Sequence, residues 1–372
     1  MIEYIEIRNE KTEIVGIVDA AKSVIWHSVY YGVGDFEIYI PATLDVLNLL
    51  RIGYYVTRPD NAEVGIIENI NISNNTHDGL MLVASGRFAK SILGRRLIYN
   101  LSGTVNKATT LRGNVETEIR EVITDNAINC AFDSRRNIPL LELGKLSNIA
   151  LSIVDGNGNA AEKQVSYENL LSYTDGVLSE YGLSSIVILN GGKLQYIVKQ
   201  GANRSTSNQD GNTPIVFSQE FDNLTDSEYT YNATTEKNVA LIGGAGEGIE
   251  RFYSLIAGTK TGLDRREIWI DASAINRTYK DENDEEQTYT DAVYKAMLDA
   301  KGRQDIAPLV VTETFSGTID ITNGNWVYNR DFTIGDIVTV QDNNIGKYAN
   351  VRIREVTEVQ DENGYTVAAN YQ

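Results

Sequence analysis

Short runs of alternating apolar and polar residues, each bounded by turn residues, dominate the first 90 positions of this chain. Such alternation places every second side chain on one face of a β-strand, and the turns between runs predict antiparallel hairpins. The first hairpin is predicted from a strand beginning at Ile2, the turn Asn9–Lys11 and a return over Ile14–Val18. Further strands are predicted over Val24–Tyr30, Phe36–Ile40, Tyr54–Arg58, Val64–Ile72 and Leu80–Ser85.

A short helix interrupts these strands over Leu44–Leu50, after Pro41 and before the stop signal Gly53. Its side chains predicted to face the sheet are Leu44, Leu47 and Leu49 or Leu50. Because several short strands must hide their edges, the economical arrangement is a closed or sandwiched antiparallel sheet with one flanking helix.

The apolar period changes to that of a helix between about residues 91 and 215. Apolar residues recur at helical spacing over 115–127 and over 170–181, and Gly182 ends the second helix. A hairpin is predicted next, with Ser185–Leu189 and Leu194–Val198 joined by Asn190, Gly191 and Gly192. The polar segment 201–214 is rich in turn residues and predicts a loop.

Strands return from about residue 216, interrupted by an acidic loop at 281–286 and a helix over about 291–300. They are predicted over Ile215–Gln219, Val239–Ile242, Arg251–Ala257, Glu267–Ile270, Leu309–Ile319 and Ile337–Val340, with a final pair around the turn Asp361–Gly364. The chain thus repeats one plan twice, a β-rich unit carrying an α+β insertion.

A length of 372 residues exceeds the about 250–300 at which one hydrophobic core stops growing, so more than one domain is expected. The predicted fold class is β-rich α+β, with two antiparallel β-barrel or sandwich domains, each carrying an α+β insertion or flanking domain. The predicted segments are a first β domain at 1–90, an α+β middle domain at 91–215, a second β domain formed by 216–260 and 305–372, and an insertion with the acidic loop and helix at 261–304.

Charge and cysteine content exclude several classes of function. The formal net charge of −18 argues against binding to phosphate backbones, which requires clustered Lys and Arg. The single cysteine, Cys130, rules out an intrachain disulfide and fits folding in a reducing cytosol. The acidic, alternating N-terminus lacks the features of a signal peptide, and no run approaches the about 20 apolar residues of a membrane span.

Catalytic and ligand-binding signatures are scarce, so no catalytic, cofactor-binding or metal residue is predicted. His27 and His77 have no partners at metal-ligand spacing. The glycine cluster at 243–248 follows a predicted strand, but its spacing departs from the dinucleotide-binding pattern and no helix pattern follows, which indicates a tight turn or bulge. The segments 155–166 and 281–286 lack the glycine that a calcium loop needs at its sixth position.

The arginine pairs are the charged residues most suggestive of a role. Arg95 and Arg96 follow the first β segment, and Arg265 and Arg266 precede a strand ending in Asp271. Guanidinium groups at domain or subunit seams bind carboxylates through two parallel hydrogen bonds. Exposed arginines that keep turns soluble are an equal alternative.

Four motifs, in order along the chain, resemble the tail-hub (baseplate hub) proteins of long-tailed siphophages that infect Gram-positive bacteria, which are related in plan to the myophage baseplate hub. They are Gly86-Arg87 with Ile92–Arg96, Gly244-x-Gly-x-Gly-x-x-Arg251, Gly262–Ala272 and Asp331–Asp336. The resemblance adds Arg251 and Asp271 to Arg95, Arg96, Arg265 and Arg266 as candidates for oligomer or inter-domain contacts.

The resemblance implies a homotrimer at the distal end of the tail tube, in which two tube-like domains per subunit give a pseudo-sixfold ring. It implies as partners the distal tail protein ring, the tape measure protein and tail fibre or receptor-binding proteins, with DNA passing through the ring. The location implied is the tail tip of the virion, after assembly in the host cytoplasm. Any lytic activity is expected in another protein.

Two other classes of protein are compatible with the sequence. A tail-tip or tube adaptor or fibre-attachment protein is expected to show sixfold particles instead of a threefold hub. A carbohydrate-processing enzyme is expected to use carboxylates such as Asp271 or Glu313 in an aromatic-lined cleft.

The net charge predicts that the isolated protein does not bind duplex DNA, because an acidic surface repels phosphates. A fluorescence titration with duplex DNA at low salt, where electrostatic attraction is strongest, is expected to show no binding at micromolar protein. Salt-sensitive binding in that range would contradict the prediction.

Overall fold

β-Strands, most of them in antiparallel pairs, are the commonest regular structure of the chain, as the alternating pattern predicts. The computed structural model describes residues 2–76, 79–102, 105–155, 158–221, 223–280, 284–319 and 326–371. The chain separates into two compact units, here called the large unit (1–155, 160–228 and 315–372) and the small unit (156–159 and 229–314). The β-rich α+β class predicted from the sequence is confirmed.

The strands follow in chain order. The first thirteen are β1 (Ile5–Arg8), β2 (Ile14–Val18), β3 (Ser23–Val29), β4 (Asp35–Pro41), β5 (Tyr55–Arg58), β6 (Asn61–Ile66), β7 (Asn69–Asn75), β8 (Gly79–Arg87), β9 (Leu101–Ser102), β10 (Val105–Asn106), β11 (Thr109–Arg112), β12 (Leu141–Leu143) and β13 (Glu162–Val165). The others are β14 (Ser184–Asn190), β15 (Lys193–Lys199), β16 (Val216–Ser218), β17 (Leu224–Asn232), β18 (Val239–Gly243), β19 (Tyr253–Ile256), β20 (Glu267–Asp271), β21 (Thr278–Lys280), β22 (Glu286–Thr288), β23 (Thr312–Ile319), β24 (Ile337–Asp342), β25 (Lys347–Asp361) and β26 (Gly364–Tyr371).

The α-helices are α1 (Leu44–Leu49), α2 (Val115–Ile123), α3 (Leu170–Glu180) and α4 (Asp291–Ile306). A π-helical turn, Thr124–Ile128, continues α2. Single 3-10 turns lie at Ala89–Arg95, Ser134–Arg136, Gln219–Phe221, Gly248–Glu250 and Gly262–Asp264. Side chains of Thr43, Asn114, Asn169 and Thr290 accept hydrogen bonds from backbone N–H groups of the first turns of α1 to α4, which satisfies donors that each helix leaves free.

Two large sheets organise the large unit. The first has seven strands in the order β12-β15-β14-β6-β5-β1-β2. The second has eight strands in the order β16-β24-β25-β3-β4-β8-β7, with β26 also paired to β25. Strands from residues 1–90 and from residues 337–371 therefore lie in one sheet, where β3 pairs with β25 in a register that sets Trp26 opposite Glu358.

The small unit contains the three-stranded sheet β19-β18-β20, with α4 packed on one face through Tyr294 and Leu298. Strands β18 and β19 belong to this unit, so its bounds are wider than the predicted insertion at 261–304. The division into two tube-like domains stays a prediction.

Most predicted elements are confirmed. The N-terminal hairpin is β1 and β2, and the middle hairpin is β14 and β15, joined through Gly191 and Gly192, whose φ angles of 57° and 76° suit glycine. Helices α2 and α3 match the helical spacing, and Gly182 follows α3 with a φ of 69°. Helix α4 extends six residues beyond the predicted end.

Two expectations were wrong, and one strand was missed. The strand predicted over Val64–Ile72 is two strands, β6 and β7, because the chain leaves the first sheet after Ile66 and enters the second at Asn69. The side chain of Leu44 is 79% exposed, since α1 packs on the core through Val46, Leu47 and Leu49 instead. Strand β17 was missed because its polar sequence lacks the apolar alternation of a half-buried strand.

A buried ion pair joins the two large sheets at Arg58 and Glu358. The Arg58 guanidinium donates two hydrogen bonds to Glu358, Nη1 to Oε2 at 3.1 Å and Nη2 to Oε1 at 3.0 Å, and two more to Asp60 at 3.0 and 2.6 Å. Its carbon Cζ lies 5.2 Å from the centre of the Trp26 ring. Because Arg58 lies on β5 and Glu358 on β25, this pair ties the first sheet to the second.

We predict that Glu358→Ala lowers the free energy of unfolding by about 3 kcal/mol, because removing one partner of a buried ion pair strands the other charge. Because Asp60 still pairs with Arg58 in this variant, the expected loss of stability is at the lower end of the about 3 to 5 kcal/mol usual for a broken buried ion pair. The measurement is urea unfolding. The matched control is Glu162→Ala, which removes the exposed pair between Arg112 and Glu162 at 3.6 Å and should cost less than about 1 kcal/mol. Equal losses in both variants would contradict the prediction.

Candidate functional site

Arg95 and Arg96 lie at the end of the 3-10 turn after β8 and make different contacts. Arg95 Nη2 is 3.5 Å from Glu68 Oε1, and Arg87 donates to both oxygens of the same carboxylate at 2.7 and 2.9 Å. The hydrogen bond from Arg87 holds the pKa of Glu68 below its usual range. Arg96 donates instead to the backbone carbonyl oxygen of Arg136 at 2.6 Å. Arg95 is thus an exposed ion-pair partner of Glu68, and Arg96 holds the backbone at Arg136 in place.

Arg251 and Asp271 are brought together in the small unit. Arg251 Nη2 lies 2.5 Å from Asp271 Oδ1, and the guanidinium also donates to the carbonyl oxygens of Gly243 at 3.2 Å and Gly244 at 3.1 Å. Its Cζ lies 5.0 Å from the centre of the Trp269 ring. A Cβ atom at Gly243 would lie 2.2 Å from Cη2 of Trp269 and 2.7 Å from Nε of Arg251. Glycine at this position therefore makes room for the indole and the guanidinium.

Arg265 and Arg266 each have a separate carboxylate partner in the small unit. Arg265 Nε lies 2.5 Å from Glu267 Oε1, and Arg266 Nη1 lies 3.0 Å from Glu236 Oε2. Arg266 also donates to the carbonyl oxygen of Ala233. The six candidate residues thus form no single cluster: Arg95 and Arg96 lie in the large unit, and the other four form three ion pairs in the small unit.

The face of the small sheet opposite α4 carries large exposed side chains. Leu241 at its centre pairs in register with Leu255 on β19 and Trp269 on β20, and Tyr253 lies 6.3 Å from Trp269 between ring centres. These four side chains are all exposed, Trp269 by 47%. We call them the Trp269 face. Exposed apolar patches with Trp and Tyr, bordered by paired charges such as Arg251 with Asp271, are typical of protein contact surfaces.

A second apolar surface lies on β2, at the edge of the seven-stranded sheet. Ile14, Val15 and Ile17 are exposed, Ile14 by 52% and Ile17 by 54%. Soluble proteins usually protect such edges with charged residues, proline or a bulge, because an edge strand offers unpaired N–H and C=O groups to another chain. This edge is therefore suited to pairing with a further strand.

The motif Asp331–Asp336 forms a structural junction in the large unit. Asp336 is buried and accepts hydrogen bonds from the N–H of Ala202 at 2.8 Å, from Arg204 Nε at 3.0 Å and from the N–H of Thr333 at 3.0 Å. Gly335 has a φ of 94° and packs on the buried ring of Tyr30. The motif therefore fixes the start of β24 against the loop at 201–204.

The carboxylates considered for catalysis have ordinary surroundings. Hydrogen bonds from Ser273 and the neighbouring Arg251 hold the pKa of Asp271 below its usual range, which does not suit a general acid. Glu313 on β23 is exposed. His27 pairs with Asp35 at 3.2 Å, and His77 lies outside the described residues. Within the described part of the chain, no group of three or more His, Cys, Asp or Glu side chains is placed to hold a metal ion.

Comparison with known proteins identifies the family. Residues 4–370 match the family described as Siphovirus ReqiPepy6 Gp37-like protein. The chain belongs to this family. None of the curated proteins matches its sequence.

Solved structures of tail proteins share the fold of this siphovirus protein. The tail protein from Neisseria meningitidis MC58 has a TM-score of 0.57 at 13% identity, covering 99% of this chain and 96% of its own. The 43 kDa tail protein of prophage MuSo2 from Shewanella oneidensis has a TM-score of 0.57 at 10% identity, covering 100% and 98%. Prophage tail protein gp18 from Listeria monocytogenes EGD-e has a TM-score of 0.50 at 10% identity, covering 99% and 94%.

The resemblance to siphophage tail proteins stated from the sequence is thus confirmed. This member of the family has the fold of tail proteins. In the part of the chain that the structure describes, the helices are too short or too polar to cross a membrane.

Sequence reasoning missed two buried arginines of this siphovirus protein. One is Arg58, whose partner Glu358 is 300 residues away. The other is Arg136, which lies 3.9 Å from the centre of the Tyr99 ring and donates to Asn126 Oδ1 at 3.3 Å. Neither arginine gives a sequence signal of burial, because its partners are assembled only by the fold; Arg135, next to Arg136 in the chain, is exposed.

We predict that Gly335→Ala destabilises the large unit by about 2 to 4 kcal/mol, since a side chain there is strained at positive φ and its Cβ would lie 2.1 Å from Cε2 of Tyr30. The control is Gly346→Ala, where φ is also positive, at 62°, and no atom lies within 4 Å of the new Cβ. It should cost only about 1 to 2 kcal/mol. Thermal or urea unfolding measures the stability of both variants. If the Gly335 variant were as stable as the Gly346 variant, the Tyr30 ring would have moved aside without loss of stability, and the prediction would be wrong.

Proposed function

We propose that this siphovirus protein is a structural tail hub, a homotrimer that closes the distal end of the tail tube and connects it to the tip. The family and the shared tail-protein fold support a structural role in the tail. The observation that carries assembly with further copies is the apolar edge strand β2, where Ile14, Val15 and Ile17 are exposed around the irregularity at Val15. Pairing of this edge with another copy would bury these side chains and satisfy the free backbone groups.

The two large sheets of each subunit are compatible with a ring that contains twice as many tube-like domains as subunits. Each subunit contributes a seven-stranded and an eight-stranded sheet, tied together by the pair of Arg58 and Glu358. If each sheet forms part of one tube-like domain, three subunits present six such domains. Six domains of this kind would match the six subunits of a hexameric distal tail ring, although the hub itself has only threefold symmetry.

The Trp269 face is proposed as the surface through which the small unit contacts another tail protein. Trp, Tyr and Arg are the residues most enriched at the energetic centres of protein interfaces. The neighbouring charges of Arg251 and Asp271 already satisfy each other, so an apolar partner surface fits best. The partners proposed are the distal tail ring, the tape measure protein and a fibre or receptor-binding protein. Arg265 and Arg266 are proposed to lie at contacts of the small unit, and Arg95 and Arg96 at contacts of the large unit.

The proposed role is non-enzymatic. The lowered pKa of Asp271 and its pairing with Arg251 suit a structural ion pair better than acid catalysis. The protein is proposed to act in the virion at the tail tip, after assembly in the host cytoplasm. The acidic chain would let DNA pass through the ring without binding it.

We predict that the purified protein has three times its chain mass of 41.2 kDa in solution and that Ile14→Lys with Ile17→Lys yields folded monomers. Charges on the edge strand prevent pairing with a second copy. Mass by light scattering and far-ultraviolet circular dichroism together report assembly and folding. The matched control is Leu44→Lys, an exposed apolar residue on α1 whose replacement should leave the trimer intact.

The mass measured for the wild-type protein also distinguishes the trimeric hub from a tube adaptor. A stable wild-type monomer at micromolar concentration would contradict the trimer, and six copies would favour a tube adaptor. In the same assay, Arg265→Ala with Arg266→Ala is expected to weaken assembly if these residues lie at subunit contacts. An unchanged trimer would leave them as local ion-pair partners of Glu267 and Glu236.

A further inference from the structure

One four-residue pattern occurs twice in the small unit. The segments Gly248–Arg251 and Gly262–Arg265 each consist of a glycine, an aliphatic residue, an acid and an arginine. The first lies in the loop between β18 and β19, and the second lies between β19 and β20. We call these segments the first and the second tip turn.

The two tip turns have the same backbone conformation. Each begins with a glycine at positive φ, 54° at Gly248 and 58° at Gly262, and forms a single 3-10 turn. The residues before them, Glu247 and Thr261, are extended, with φ of −132° and −133°. In each turn the N–H of the arginine donates to the carbonyl oxygen of the glycine, at 3.4 Å in the first and 3.2 Å in the second. The pattern is thus one local structure used twice.

Each tip turn exposes its aliphatic side chain completely. The exposure is 101% for Ile249 and 98% for Leu263, above that of every other large apolar side chain that the structure describes. A Cβ atom at Gly248 or Gly262 would have no neighbour within 4 Å, so the glycines are needed for their φ angles and not for packing. Single exposed apolar residues are common, but the repetition of one glycine-dependent turn around both argues against chance.

Hydrogen bonds hold both tip turns in place. In the first, Arg251 donates to two carbonyl oxygens at the end of β18 and pairs with Asp271. In the second, the carbonyl oxygen of Asp264 accepts a hydrogen bond from Asn238 Nδ2 at 2.7 Å. Because the turns are already ordered, their aliphatic side chains would lose little conformational entropy on binding.

The tip turns lie at opposite ends of the three-stranded sheet that carries the Trp269 face. Strand β19 begins opposite Gly243, the last residue of β18, and β20 begins opposite Val239, the first. Since β18 has five residues, its two ends are about 14 Å apart. Side chains presented at such separate places require two pockets instead of one.

The acid in each tip turn sets the chemistry beside the aliphatic side chain. The arginine of each turn is neutralised by a carboxylate on β20. Glu250 and Asp264 are exposed and have no ion-pair partner among the residues that the structure describes. Lys260, shortly before the second tip turn, is also exposed, so the shared feature is the carboxylate and not a net charge. Each tip therefore presents an aliphatic side chain next to a free carboxylate.

We propose that the two tip turns are equivalent anchors that bind two copies of one other tail protein, each in an apolar pocket with a Lys or Arg at its rim. The inference rests on the role proposed above for the small unit and specifies its partner. Two occurrences of one chemistry fit two identical pockets, and each free carboxylate pairs with a basic rim. A lipid surface is disfavoured, because inserting either aliphatic side chain would carry its neighbouring carboxylate towards the apolar layer.

Photo-crosslinking in tail particles tests the anchors. The full-length chain carries either Ile249→p-benzoylphenylalanine or Leu263→p-benzoylphenylalanine, and mass spectrometry identifies the crosslinked peptides. Both positions are expected to crosslink to the same segment of one other protein, with Lys or Arg in or beside that segment. The matched control is Val293→p-benzoylphenylalanine, at a 47% exposed position on α4, which should not crosslink to that segment.

Charge reversal tests the chemistry of the pocket in the same particles. Glu250→Lys should reduce crosslinking from position 249 by about tenfold or more, because a cation would then face the basic rim. Crosslinking from position 263 should be unchanged, since the two anchors are independent. Asp264→Lys is expected to have the reverse effect. Glu313→Lys, which changes an exposed carboxylate elsewhere in the small unit, is the control and should alter neither.

Several results would overturn the proposal. In particles that contain the protein, these are crosslinks from the two positions to different segments, to lipid or to another copy of this chain, or no crosslinks at all. Crosslinking that is insensitive to both Glu250→Lys and Asp264→Lys would rule out the basic rim. Absence of the protein from tail particles would contradict the proposed function, and this inference with it.

Discussion

The buried ion pair between Arg58 and Glu358 is the interaction on which the large unit depends. It joins a strand of the seven-stranded sheet to a strand of the eight-stranded sheet, and Asp60, Tyr365 and the Trp26 ring surround it. Buried charges are costly unless each is paired, so this cluster favours one relative placement of the two strands and disfavours shifted ones.

Local structure could be predicted from the sequence because its causes are local. The alternation of apolar and polar residues predicted the hairpin of β1 and β2, and helical spacing predicted α2 and α3. The adjacent glycines predicted the turn between β14 and β15. Pairing between distant segments could not be predicted, since no pattern in Trp26 or Glu358 shows that β3 and β25 are neighbours. The break at Ile66 was missed for the same reason, because only the presence of a second sheet explains it.

The candidate contact residues divide in a similar way. Arg251 and Asp271 were both singled out, and the fold brings them together at 2.5 Å over the space left by Gly243. Arg265 and Arg266 were expected to share a role but have separate partners.

The pairing of β3 with β25 also determines when this protein can fold. Residues 24–29 reach their sheet partner only after residues 355–360 have been synthesised, so the eight-stranded sheet cannot close during most of translation. Contacts of such long sequence separation slow folding and leave strand edges exposed in the meantime. The nascent chain therefore carries β3 without its final neighbour, β25, for the time needed to make about 320 further residues, which makes chaperone protection or rapid assembly important for its yield.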